Sequence, residues 1–153
     1  MQTHIDRYKK LRQYILENIK DLSNEQLNQV PTGFSNNIIW NLAHLVAVQQ
    51  AVCYKRAGKD FKIEESYFDL FKPGTKPELI FDDAMIAKTK TIFIENIDFL
   101  QNDYNNKEFE NYTTWTTRAG LEITNIDIAI NFMMYHEGLH EGLIGSLKKF
   151  VIA

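Results

Sequence analysis

The sequence predicts an all-α protein, a four-helix bundle with long connections. Three observations lead there. Four segments carry apolar residues at three-to-four spacing, the period of a helix that buries one face. Only three prolines interrupt the 153 residues. No pair of alternating apolar segments offers a sheet.

The first helix is predicted from about Thr3 to Ile19, with Ile5, Tyr8, Leu11, Ile15 and Ile19 in its stripe and Lys9, Lys10, Arg12, Glu17 and Lys20 on its polar face. Ser23-Asn-Glu-Gln reads as a capping box that opens a short turn before Pro31. The second helix is predicted from Ser35, as N-cap, to Gly58, as the residue past its end. It is apolar around most of its circumference, as befits an inner helix. Asp60 to Pro77, with Lys72-Pro-Gly-Thr-Lys-Pro, reads as a loop. The third helix starts at Pro77 or Asp82 and reaches Asn102, through Ala84, Ala87, Thr91, Ile94, Ile97 and Leu100. Asp103 to Gly120 reads as irregular; within it, Tyr112-Thr-Thr-Trp-Thr-Thr has strand composition but no partner pattern. The last helix runs from Asn125, or a Thr124 cap, to Phe150.

A chain of this length buries a full core as one domain, residues 1–153. Hydrophobic residues are 44%, charged residues 24% and the net charge is −3, with acids and bases intermixed. That mixture offers no basic face for nucleic acid. The longest mainly apolar stretch, Ile38 to Val52, is broken by Asn41, His44 and Gln49-Gln50 and is too short for a bilayer. The N-terminus has no apolar signal region, and the single Cys53 fits a reducing compartment, so a cytoplasmic protein is expected. Cys53 lies nine residues after His44, about half a turn round the helix, and is read as a packing residue facing away from it.

The chemistry concentrates in histidine. His136-Glu-Gly-Leu-His140 sets two imidazoles one helical turn apart, roughly 5–6 Å between Cβ atoms, a spacing that chelates one ion. His140 is seven residues after Met133 and seven before Leu147, on the core side. His44 sits mid-helix among Trp40, Ala47, Val48 and Ala51, and small neighbours leave room beside its ring. A lone buried histidine is ordinarily a hydrogen-bonded core residue. Three of four on core-facing helix positions point instead to a divalent transition metal, held by His44, His136 and His140 with a fourth position open. His4 is read as a surface residue.

His-Glu-x-x-His also spells a zinc-peptidase motif, with Glu137 as general base. Leu143 and Ser146 stand where the extended motif needs Gly and His, and only thirteen residues follow His140. The peptidase is therefore the remote alternative. Glu137 is kept as a catalytic candidate for proton transfer or support of the ligands; the competing reading makes it a surface acid beside Glu141.

Trp40-Asn-Leu-Ala-His44-Leu on the second helix, with His136-Glu-Gly-Leu-His140-Glu-Gly-Leu-Ile-Gly-Ser-Leu on the last, resembles the DinB/YfiT-like superfamily over nearly the whole chain. The resemblance implies up-down-down-up topology and nickel or zinc on His44, His136 and His140. It also implies metal-dependent transfer of a low-molecular-weight thiol, the cosubstrate, to a small electrophile. Metal-activated hydrolysis is the neighbouring chemistry. The alternative of a different class is a metal- or small-molecule-binding stress protein without turnover. Many relatives carry Gln shortly after the last histidine; Leu143 stands there in this chain. Gly138, Gly142 and Gly145 permit close approach of the second helix or of another subunit, and the resemblance implies a homodimer. Trp115 and Tyr112 either line the pocket mouth or cover the bundle end.

Overall fold

The computed structural model describes residues 2–153, with side chains from residue 4 onward. Its helices are α1 (Gln2–Asn18), α2 (Asn24–Asn28), α3 (Ile38–Gln49), α4 (Glu65–Phe71), α5 (Asp83–Asn105) and α6 (Ile126–Val151). Two short strands, β1 (Trp115–Thr116) and β2 (Glu122–Ile123), pair antiparallel. The four long helices form the bundle: α1 packs on α5 and α6, and α3 packs on the same two from the other side. The all-α expectation holds. Among the described residues, no helix is long and apolar enough to cross a membrane.

Local chemistry sets the boundaries. Ser23 and Gln26 form the reciprocal capping box the sequence predicts. Asp82 caps α5 through Met85 N–H, and Asn125 caps α6 through Ile128 N–H. The start of α3 is a correction. Asn37, not Ser35, is its N-cap, because the Asn37 side chain accepts from Trp40 N–H at 2.8 Å while its amide donates to the Asn28 carbonyl. An N-cap of this kind contributes about 1 kcal/mol.

Helix α3 is the inner element, with all twelve residues buried. Its end is another correction, since the predicted uninterrupted helix to Gly58 changes pitch. A π-helical turn at Gln50–Tyr54 is followed by a 3₁₀ turn at Lys55–Ala57, and Gly58 closes it at φ +67°. The buried Asn96 of α5 stabilises the wide turn: its carbonyl accepts from Gln49 Nε2 and its side-chain oxygen from Gln50 Nε2.

Two connections hold more structure than the sequence predicts. The loop after α3 contains α4, where Tyr67 and Phe71 are buried one turn apart. The segment read as partnerless pairs in register, Trp115 with Ile123 and Thr116 with Glu122, around a turn closed by Gly120 at φ +80°.

Arg12 departs most from expectation. Expected on the polar face of α1, it is fully buried and bonds to the other three long helices. Its guanidinium donates to Glu137 on α6 through Nε (3.0 Å) and Nη2 (2.8 Å), to the Phe93 carbonyl on α5 (2.6 Å) and to the Leu45 carbonyl on α3 (3.3 Å). Tyr8, one turn earlier on α1, donates to Glu137 Oε1 and accepts from Arg12 Nη2. The guanidinium also lies over the Phe93 ring, 4.4 Å from its centroid. A buried charge persists only when paired and hydrogen-bonded, and here it is both.

Candidate metal centre

His44 from α3 and His136 and His140 from α6 converge where the two helices pack. One ligand nitrogen from each lies within 4.8 Å of the other two. At metal–nitrogen distances of roughly 2.0–2.1 Å, tetrahedral ligand nitrogens stand about 3.3–3.4 Å apart, so the group would close on an ion by inward rotation of the rings. Ring centroids are 5.7 Å apart for His44 and His136, 5.0 Å for His44 and His140, and 4.6 Å for His136 and His140.

Hydrogen bonds fix which nitrogen faces inward. His44 Nδ1 is 2.7 Å from the Phe71 carbonyl, which only accepts, so Nδ1 carries the proton and Nε2 keeps its lone pair. At His140 the logic runs through Asn41. The Asn41 amide nitrogen donates to the Asn37 carbonyl at 2.6 Å, which turns Oδ1 towards His140 Nδ1 at 2.7 Å. His140 is therefore also protonated on Nδ1. Metal-ligating histidines are ordinarily oriented in this way, through the nitrogen that does not bind. His136 differs: its Nε2 is buried without a hydrogen-bond partner among the described residues. An orphaned imidazole nitrogen beside two oriented imidazoles fits the chemistry of a group that could hold a cation.

The electrostatics agree. Burial lowers the pKa of all three rings. His136 falls to about 4, through burial and then its neighbour His44; His140 falls to about 3, through burial and then His136 and His44. For His44, the bond to the Phe71 carbonyl works against the burial. All three are neutral at physiological pH, the form that binds a cation. Trp40 stacks on His44 at 4.7 Å and Phe132 on His136 at 6.1 Å, which restrains both rings.

Glu137 does not join them. It is fully buried, so the surface-acid reading is wrong, and its Oε1 takes three donors from Arg12 and Tyr8. Burial raises its pKa and the Arg12 charge opposes the rise; three donors on one oxygen mark a carboxylate paired with a guanidinium. A peptidase needs that carboxylate beside the ion, and here it serves the bundle core. Cys53 is buried outside the histidine group, as expected, with its thiol pushed up to about 12 by burial. His4 bonds Asn131 at the exposed edge of the bundle.

A cavity of about 530 Å³ opens onto His44 and His136. Trp115 lines it, and its indole N–H donates to Tyr112, whose hydroxyl donates to the Val52 carbonyl at 2.8 Å. The β-hairpin is thereby pinned to the π turn and walls the cavity. The glycines of α6 give a further correction: a Cβ on Gly138, Gly142 or Gly145 would meet nothing within 4 Å, so α3 does not approach there.

Among protein families, the model described as the DinB superfamily matches residues 7–144. The chain belongs to the DinB superfamily. The match spans α1 to α6 and includes all three histidines. Curated individual proteins give no match.

Proposed function

We propose that this DinB-superfamily protein is a metal-dependent enzyme that transfers a low-molecular-weight thiol to a small electrophile or hydrolyses such a substrate. His44, His136 and His140 would hold the metal, nickel or zinc. The single observation that carries the reading is the buried, unpartnered Nε2 of His136, set between two imidazoles oriented by Phe71 and Asn41 and facing an apolar cavity. A metal bound there supplies Lewis acidity that stabilises a thiolate or activates water.

The chain's own residues orient the ligands, exclude water and bind substrate. Val48, Val52, Phe132 and Trp115 give the cavity an apolar wall, which strengthens electrostatic interactions inside it. Among the described residues, no fourth His, Cys, Asp or Glu joins the group, which favours an open coordination position. Glu137 is left out of the chemistry because Arg12 and Tyr8 hold its Oε1 in the bundle core and it is not among the converging groups. We place the protein in the cytoplasm, where Cys53 persists as a free thiol.

One observation favours a metal- or ligand-binding protein without turnover. Besides the histidines, the ionisable groups lining the cavity are Arg56, Arg118 and Tyr135, and none is a carboxylate or a further histidine. The deciding experiment is metal analysis of the purified protein, then a screen of thiols against electrophiles with His140→Ala as control. Thiol-dependent turnover lost in the variant supports the enzyme. Bound metal without turnover over the screen supports the binding protein.

A further inference from the structure

The cavity over the histidines has charge of one sign. Arg56 and Arg118 line it and no Asp or Glu does. The composition runs the other way, with 20 acidic and 17 basic residues in the chain. Among the described residues neither guanidinium is ion-paired with a carboxylate.

The two arginines reach the cavity by separate devices. In an unbroken α-helix, Lys55 would sit about 20° round from His44 and Arg56 about 120°. A π turn takes up roughly one extra residue, which moves the next side chain into the earlier register. Accordingly Lys55 is exposed, and the half-buried Arg56 lines the cavity with His44, Val48 and Val52. Its guanidinium carbon stands 4.9 Å from the Trp115 ring centroid, and its carbonyl accepts from Thr113 N–H. Arg118 comes from the tip of the β-hairpin.

Unpaired guanidinium groups bind planar anions through paired hydrogen bonds. An inorganic anion would leave the apolar wall unused, and a neutral apolar molecule would leave the arginines unused. We propose that the cavity takes an amphipathic organic carboxylate, its carboxylate on Arg56 and Arg118 and its aromatic or aliphatic body against Phe132 and Trp115. This names the substrate class for the site proposed above. It rests on that reading only for the end of the ligand that faces the histidines.

The test uses the full chain freed of metal by a chelator, so that a carboxylate has no ion to bind. Trp115, one of two tryptophans, reports binding by fluorescence during titration with 3-phenylpropanoate and its neutral amide. The acid is expected to bind about ten-fold more tightly, as a charged hydrogen-bond pair implies. Arg118→Gln, at an exposed position, and Arg56→Gln should each reduce the ratio, and the double variant should bring it near one. Equal affinities in the wild type, no binding of either probe, or a preference that both variants preserve would overturn the proposal. Metal affinity measured on the same samples separates the two ideas: acid preference without metal binding sinks only the metal-dependent reading.

Discussion

Asn41 Oδ1 lies 2.7 Å from His140 Nδ1, and the Asn41 amide is held the right way round by the Asn37 carbonyl. A residue four positions past the N-cap of α3 thus selects the tautomer of a histidine on α6. Asn41→Ala should weaken metal binding about 10- to 100-fold, the usual cost of losing such an orienting partner. Competition against a chelator of known affinity measures it, and unchanged affinity in a folded variant would show that Asn41 does not orient His140.

Glu137→Ala should destabilise the protein by about 3–5 kcal/mol, because Arg12 would be left buried and unpaired. Replacing both partners by methionine should recover most of that loss. Denaturant unfolding gives the stabilities, and metal binding per folded molecule should survive in the double variant. Loss of metal binding there would return Glu137 to the site.

The metal-free protein should lose stability as pH falls. The three histidines have lower pKa values folded than unfolded, with His136 at about 4 and His140 at about 3. The unfolded chain therefore binds more protons below the ordinary histidine pKa of about 6.5. Their contribution is complete above that pH and is lost as pH drops towards 3. Thermal unfolding at several pH values, compared with a variant lacking all three histidines, isolates the slope.

Cys53 should resist alkylation at pH 8 in the folded protein and react once the chain is unfolded. Burial raises its pKa to about 12, so almost no thiolate is present. Mass spectrometry after iodoacetamide treatment reads this directly; rapid labelling of the native protein would contradict the buried placement.

Gly142→Ala should raise the stability of the single chain by up to about 1 kcal/mol, since the added methyl meets nothing within the chain and alanine favours the helix. The proposed homodimer would use this exposed face, where Tyr135 and Leu139 also stand clear of the core. Sedimentation over a range of concentrations tests the dimer. A stability loss that grows with protein concentration would show a second copy packed on the glycines.

The long helices and the histidine triad were legible because they depend on local period. His136 and His140 are one turn apart on any helix, and His44 falls in the apolar stripe of the next helix in the metal group. Residues joined across the fold were not legible. Arg12 has the composition of a solvent-facing residue, and its charge partner Glu137 is 125 positions away. Asn41 and His140 are 99 positions apart. The π turn adds a single residue to a helix whose apolar pattern is continuous, so no period reveals it. β1 and β2 have two residues each, too few for an alternating pattern, and their register comes from the turn at Gly120.

The hub at Arg12 bears on how the proposed ion would be acquired. Because one guanidinium joins α1, α3, α5 and α6, the helices bearing His44 and His136 keep their spacing with no ion between them. Small zinc domains fold only when loaded, so their binding energy is consumed in ordering the chain. Here the scaffold would stand beforehand, and the full interaction with a metal bound as proposed would appear as affinity. Ions would then exchange at a standing site, and the occupant would be set by which metal is supplied to the chain rather than by which one allowed it to fold.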